Sequence, residues 1–153
     1  MTRLNRLIGL PVICGGKKLG RVSATTLTQT GKKLAGLWVQ HGLRSARWIP
    51  ADTILVLGDV SILVCAHPGK QGAARVPRMG RVCDTGGMRL GCVTDVRLDE
   101  RTLAVDALEI TFGPLDDLLT GRRWVQSFTV HPVSGDVVVP CQQAGRGLSE
   151  ERG

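Results

Sequence analysis

One structural unit occurs twice in this chain of 153 residues, and the duplication limits what the chain can fold into. The segment GGKKLGRV at 15–22 returns as GGMRLGCV at 86–93, which is 71 positions later. A second pair follows in the same order, with RWIPADTILVLGDVSILV at 47–64 and RWVQSFTVHPVSGDVVVP at 123–140. Two matching segments in one order are typical of a duplicated unit. The chain is therefore predicted to fold as two copies of one small unit.

Each copy consists of short apolar or alternating segments that are separated by turn residues. In the first copy these segments lie at 7–13, 19–27, 34–40, 48–49, 54–57 and 60–65. Gly15-Gly16 and Gly86-Gly87 predict hairpin turns, because paired glycines supply the positive φ angles of tight hairpins. Short strands without long helices favour closed barrels, since closure leaves no sheet edge unpaired. The prediction is an all-β fold of two tandem small β-barrels, with five or six strands in each.

The domain boundaries follow from composition. We place the first barrel at 3–66, a linker rich in Gly, Pro and Ala at 67–77, the second barrel at 78–141 and a polar tail at 142–153. The second copy also contains an inserted segment at 113–121, for which we expect a short helix or a tight loop.

The repeated segments resemble the PRC-barrel domain. LIGLPV followed by GGKKLGRV and then WIPADTILVLGDVSILV carries the resemblance, which covers nearly the whole chain as two tandem copies. The second copy departs from the pattern, with Val125-Gln126 where the first has Ile49-Pro50. Similar domains occur in the H subunit of the photosynthetic reaction centre, in a ribosome maturation factor and in small stand-alone proteins of spore-forming bacteria. The resemblance implies barrels of the PRC-barrel type and a protein-binding adaptor.

The charge of the chain is unevenly distributed. Residues 1–77 contain eleven Lys and Arg and only two acids, a net charge of +9, whereas residues 78–153 contain nine basic and eleven acidic residues, a net charge of −2. A basic half attracts nucleic acid, anionic lipid or an acidic protein face. Attraction between the two halves of the chain is the alternative that the sequence leaves open.

The sequence carries no recognisable catalytic, cofactor or metal site. Its five cysteines include no C-x-x-C pair and its three histidines are scattered, so neither a zinc site nor a redox site is predicted. GGKK lacks the remainder of the phosphate-loop pattern G-x-x-x-x-G-K-[S/T]. We expect reduced, buried thiols, no cofactor, no metal and no enzymatic activity.

The location that we expect is cytoplasmic. The apolar stretch 7–14 has eight residues and is interrupted by Pro11, which is a poor secretory signal. No apolar run reaches the roughly 18 residues of a membrane-spanning helix. Peripheral membrane contact is left open.

The three tryptophans are treated separately. Trp48 and Trp124 are repeat equivalents, and both are expected to be mostly buried. Trp38 has no counterpart, since Asp106 or Ala107 falls at its place in the second copy. This makes Trp38 a candidate for a partner surface or for the seam between the barrels.

Together these features predict a non-enzymatic adaptor, a protein-interaction module that docks on an acidic protein or complex. The predicted partner-binding residues are Lys32, Lys33, Trp38, Arg44 and Arg47, because Trp and Arg dominate many binding hot spots. The alternative is an RNA- or ribosome-associated assembly factor, favoured by the charge and disfavoured by the scarcity of stacking aromatics. Homo-oligomers are also left open.

Overall fold

The structure is a computed structural model that describes residues 1–69, 79–113, 117–118 and 121–140. The chain begins with a two-residue strand, β1 (Thr2–Arg3), and a one-turn helix, α1 (Leu4–Leu7). The other described elements are strands and one 3₁₀ turn, so the predicted all-β class is confirmed. None of the helices in the described part of the chain is long and apolar enough to cross a bilayer.

The first copy forms one six-stranded sheet. Its strands are β2 (Pro11–Cys14), β3 (Lys17–Leu27), β4 (Leu34–Gln40), β5 (Arg47–Pro50), β6 (Ile54–Leu57) and β7 (Ile62–Val64). Their spatial order is β5-β4-β3-β2-β7-β6, and β2 and β7 form its parallel pair. The outermost strands β5 and β6 are joined by only three residues, a 3₁₀ turn at Ala51–Thr53. The sheet therefore curls into a barrel-like unit, although β5 and β6 do not pair with each other.

The second copy repeats this topology strand for strand. Its strands are β8 (Arg81–Asp84), β9 (Arg89–Leu98), β10 (Val105–Thr111), β11 (Arg123–Val125), β12 (Thr129–Val130) and β13 (Val137–Val139). The order is β11-β10-β9-β8-β13-β12, with β8 and β13 as the parallel pair. The sequence repeat thus corresponds to two small barrel-like β units, as predicted.

The two units share one hydrophobic core. Equivalent buried residues such as Leu37 and Leu108 are both fully buried, and the buried apolar side chains of both units belong to one contiguous cluster. The N-terminal segment strengthens this union, because β1 pairs antiparallel with β9 of the second sheet and α1 contacts the same strand. A single unit of this size buries too little apolar surface for high stability, so a common core stabilises both.

The units meet through equivalent hairpins that are related by an internal pseudo-twofold axis. The Leu34 amide donates to the Leu103 carbonyl at 2.9 Å, and the Val105 amide donates to the Lys32 carbonyl at 2.8 Å. A shift of 71 positions converts each of these hydrogen bonds into the other. The residues between them form an antiparallel bridge. The tandem copies are therefore arranged as the two subunits of an isologous dimer would be.

The two glycine turns have different structures. Gly15-Gly16 is the two-residue turn of the β2–β3 hairpin, as predicted. Gly86-Gly87 lies in a longer turn, in which the Asp84 carboxylate accepts hydrogen bonds from the amides of Gly86 and Met88, each at 2.9 Å. These two hydrogen bonds to a side chain stabilise the longer turn of the second unit.

Two segments of the prediction lie largely outside the described residues. Of the linker, residues 67–69 are described, and Gly69 forms an antiparallel bridge with Trp48 beside the outer edge of β5. Within the insertion, Asp117 and Leu118 are helical. The remainder of the insertion at 114–116 and 119–120 and the tail at 142–153 lie outside the described range.

Gly20 and its repeat equivalent Gly91 are required because the backbone of the neighbouring strand lies very close to them. A Cβ atom at Gly20 would lie 2.5 Å from the carbonyl oxygen of Gln40, and one at Gly91 would overlap the carbonyl oxygen of Thr111. In both units the neighbouring strand approaches this position with its backbone, which cannot move as a side chain can. The recurrence of L-G-x-V therefore has a steric cause.

We expect Gly91→Ala to destabilise the protein strongly, by about 2 kcal/mol or more, since the added methyl group displaces a backbone strand. Gly80→Ala is the matched control, because nothing lies within 4 Å of a Cβ atom there. Its free energy of unfolding should change by less than about 1 kcal/mol. Urea denaturation measures both, and equal midpoints for the two variants would contradict the steric explanation.

Candidate docking surface

The five residues predicted to bind a partner do not lie together. Lys32 and Lys33 precede β4, whereas Arg44 and Arg47 follow it. A seven-residue strand is about 20 Å long, so the two pairs of cations lie at opposite ends of the first unit. Trp38 lies on the strand between them.

Lys32 is engaged within the molecule at the seam between the units. Its Nζ atom donates a hydrogen bond to the carbonyl oxygen of Phe128 and lies 3.6 Å from the centroid of the Phe128 ring. Burial against this ring lowers the pKa of Lys32. Lys33 is exposed and contributes its backbone to the bridge between the two hairpins. The first pair of cations therefore belongs mainly to the contact between the units.

Trp38 is half-buried at a cleft of about 380 Å³ between the units. Its indole Nε1 donates to the Thr26 hydroxyl at 3.1 Å. Its ring centroid lies 5.1 Å from that of Trp48, with the two planes tilted by 55°. Trp48 is 8% exposed, in agreement with the expectation of burial.

Trp124 is mostly buried, as expected, but less completely than Trp48. The guanidinium groups of Arg3 and Arg97 each lie 5.0 Å from the centroid of its ring. The cause of the difference is one methyl group. The Trp48 ring occupies the space above Gly36, where a Cβ atom would lie 2.5 Å from it, and strand pairing places Ala107 at the equivalent position.

The strand register also identifies the true counterpart of Trp38. Trp38 pairs with Trp48 on β5, and Glu109 pairs with Trp124 on β11, so Glu109 occupies the position of Trp38. The sequence alignment had placed Asp106 or Ala107 there. The second unit thus has a carboxylate where the first has an indole.

That carboxylate is part of a buried charge cluster which joins the two halves of the chain. Glu109 and Asp95 are 5% and 8% exposed. Arg3 lies 2.5 Å from Glu109 and 3.7 Å from Asp95, and Arg122 lies 3.3 Å from Glu109. A cation of the basic half therefore neutralises acids of the other half, which is the intramolecular attraction that the sequence left open.

A basic groove is the most distinctive surface among the described residues. One depression of about 300 Å³ is lined by Lys17 and Lys18 of the β2–β3 hairpin, Arg44 of the β4–β5 loop and Arg47 at the start of β5. The other lining residues are Leu19, Val39, His41, Ser45, His67 and Pro68. The lining contains no acid, and none of the four cations forms an ion pair with a described carboxylate.

Lys17 and Lys18 were not among the predicted site residues. In an antiparallel meander, alternate turns lie at the same end of the sheet, so the β2–β3 turn is a neighbour of the β4–β5 loop. Applied to the predicted strand order, this rule places Lys17 and Lys18 beside Arg44 and Arg47. The groove keeps Arg44 and Arg47 as candidates and adds these two lysines.

The described residues hold no group of three His, Cys, Asp or Glu side chains that could bind a metal ion. Cys14, Cys65, Cys83 and Cys92 are free thiols, but Cys65 is exposed and the others are half-buried, contrary to the expectation of burial. The sequence matches no protein-family model and no curated protein.

The two equivalent tryptophans allow a paired stability test. Trp48→Ala should lower the free energy of unfolding by about 3–5 kcal/mol, because it removes a buried indole. Trp124→Ala should cost clearly less, since its ring is less completely buried. Urea denaturation of both variants measures the difference, and equal costs would contradict the assignment of different environments.

The charge cluster predicts coupling between Arg3 and Glu109. Arg3→Ala should cost about 1–3 kcal/mol, because a buried carboxylate loses one of its partners. In the Glu109→Gln background the same substitution should cost less by at least about 0.5 kcal/mol. Arg6→Ala is the control, since Arg6 is an exposed residue of α1 that forms no ion pair with a described carboxylate. Strictly additive effects in urea denaturation would argue against the cluster.

Proposed function

We propose that the protein is a non-enzymatic adaptor, made of two PRC-like barrels, that docks on the acidic face of a protein or protein complex. The observation that carries the proposal is the basic groove of Lys17, Lys18, Arg44 and Arg47, whose lining contains no acid. Complementary charge of this kind accelerates association and orients the partner.

Internal contacts concentrate the positive charge of the first unit at this groove. Arg3 neutralises buried carboxylates, Lys32 binds Phe128, and Arg21 donates to the Gly9 carbonyl at 2.9 Å. The four groove cations have no comparable internal partner among the described residues. Arg6 and Lys33 are exposed as well, but among the described cations only the four of the groove lie together around one depression without an acid.

The composition of the groove favours a protein partner over single-stranded RNA. Its lining contains no aromatic residue other than the two histidines, whereas sequence-tolerant single-strand binding depends on bases stacked on aromatic side chains. The resemblance to PRC-barrel domains supports an adaptor as well. A role on the ribosome or on RNA is the second candidate, because a phosphate backbone requires only cations.

A cytoplasmic location is part of the proposal. The four described cysteines are unpaired thiols, which is the usual state in a reducing compartment. Neither a membrane surface nor self-association is needed for the groove to act.

The groove is tested by reversing its charge and comparing the result with an equal change elsewhere. The groove variant carries Lys17→Glu, Lys18→Glu, Arg44→Glu and Arg47→Glu. The control carries Lys33→Glu, Arg81→Glu, Arg89→Glu and Arg101→Glu, which are exposed positions without an ion pair to a described carboxylate. The two variants have the same net charge, so a difference between them reports on position alone.

The groove variant should bind polyglutamate at least about tenfold more weakly than the control, since four exposed ion pairs contribute about 1–4 kcal/mol together. It should also fail to capture the native partner from a cell extract, while the control still captures it. Equal binding by both variants would leave the groove as a solvated surface. Capture that is lost after nuclease treatment, with duplex RNA binding that falls steeply with salt, would favour the second candidate.

A further inference from the structure

A second surface lies on the first unit, on the β6–β7 hairpin. β6 is the last strand of its sheet, and β7 is its only partner among the described strands. Four apolar side chains of the hairpin are exposed: Leu55 at 66%, Val56 at 51%, Val60 at 79% and Leu63 at 39%. An exposed apolar edge strand tends to pair with another chain, and proteins normally suppress this with charged residues, proline or a β-bulge. β6 contains no charged residue and no proline, and its register with β7 shifts once, between Ile54 and Val56.

The fold itself does not require this apolar edge. The equivalent residues Ile62 and Val137 pair with Leu57 and Val130 on the edge strands, so the exposed Thr129 corresponds to the exposed Val56. The turn that follows β12 is also polar and contains Ser134 and Asp136. The same edge is thus polar in one unit and apolar in the other, although both have the same topology.

Acidic residues flank the apolar edge at both ends. Asp52 precedes β6 and Asp59 follows it, and these are the only two acids among the first 77 residues. Both are exposed, and neither forms an ion pair with a described cation. By contrast, Asp95, Asp106 and Glu109 of the second unit are all paired with arginines.

The two acids indicate which kind of strand can pair with the outer edge of β6: a second copy of the protein or a segment with cations at its ends. If two copies of the protein paired antiparallel through β6 with Leu55 opposite Val56, Asp52 of each copy would face Asp59 of the other. Like charges directly opposite each other destabilise a strand pair. A strand with cations at its two ends would instead meet opposite charge at both ends of β6.

We propose that the outer edge of β6 binds an extended apolar segment of a partner protein that carries Lys or Arg at each end. The segment adds a strand to the first sheet, so its backbone groups pair with those of β6 while its alternate side chains cover Leu55 and Val56. The groove and this edge are separate surfaces, and the inference does not depend on the proposed function.

The probes are three synthetic peptides that share a Thr-Val-Thr-Val-Thr centre. The first has Lys at both ends, the second has Glu at both ends, and the third has Lys ends and an N-methyl group on all five central residues, so neither of its edges can donate hydrogen bonds to β6. Titrations followed by amide chemical shifts should show that the first peptide binds and perturbs the amides of β6. The second should bind about 2- to 30-fold more weakly, which is the value of two exposed ion pairs. The third should not bind.

Variants of the protein then separate the two contributions. Asp52→Asn with Asp59→Asn should abolish the preference for Lys ends while retaining binding. Leu55→Thr with Val56→Thr should weaken all peptides, and Thr129→Ser on the equivalent strand is the matched control, which should leave binding unchanged. The groove variant should bind the Lys-ended peptide as well as wild type does, so failure of one surface is distinguishable from failure of the other.

Several results would overturn the inference. These are equal affinity for the Lys- and Glu-ended peptides, undiminished binding of the N-methylated peptide, or shift changes confined to another part of the protein. Slow hydrogen exchange of every β6 amide in the free protein would show that the edge is already covered. A concentration-dependent dimer that is lost in the Leu55→Thr, Val56→Thr variant would assign the edge to a second copy instead.

Discussion

The antiparallel contact between residues 32–34 and 103–105 is the interaction on which the rest of the structure depends. Its two hydrogen bonds are exchanged by the 71-residue repeat, so the two units meet through the same surface of each. An arrangement of this kind merges two small cores into one cluster. Because neither unit alone buries much apolar surface, the stability of each barrel depends on the other.

The N-terminal segment also stabilises the contact between the two units, through strand pairing and ion pairs. β1 pairs with β9 and so adds a strand to the second sheet. The Arg3 side chain neutralises the charges of the buried carboxylates Asp95 and Glu109. Only a few cations of the first half take part in these contacts. Arg3 and Lys32 bind groups at the contact between the units, whereas the groove cations lie at the other end of the first unit and are exposed to solvent.

The two copies have kept one topology and have diverged on their surfaces. Gly36 and Trp38 of the first unit correspond to Ala107 and Glu109 of the second, so a tryptophan pair in one is a charge cluster in the other. Lys17 corresponds to Met88, and the exposed Val56 corresponds to Thr129. The basic groove and the apolar edge both lie on the first unit, whereas the second unit supplies the acids that bind the N-terminal segment. Both surfaces that we propose for binding therefore belong to the first unit.

The sequence by itself determined the duplication, the all-β class, the positions of most strands and the turn at Gly15-Gly16. These features depend on local periodicity and on glycine, which act over a few residues and leave a visible pattern. The counterpart of Trp38 and the separation of Lys32 from Arg44 were also within reach of the sequence, because the 71-residue offset leads to Glu109 and the predicted strand 34–40 lies between the two cations. The different surroundings of Trp48 and Trp124, and the contact of Arg3 with Glu109, could not be obtained in this way. Each depends on contacts between residues far apart in the chain. Only the tertiary structure decides such contacts, because register and packing are set by the partner strand and not by the segment's own sequence.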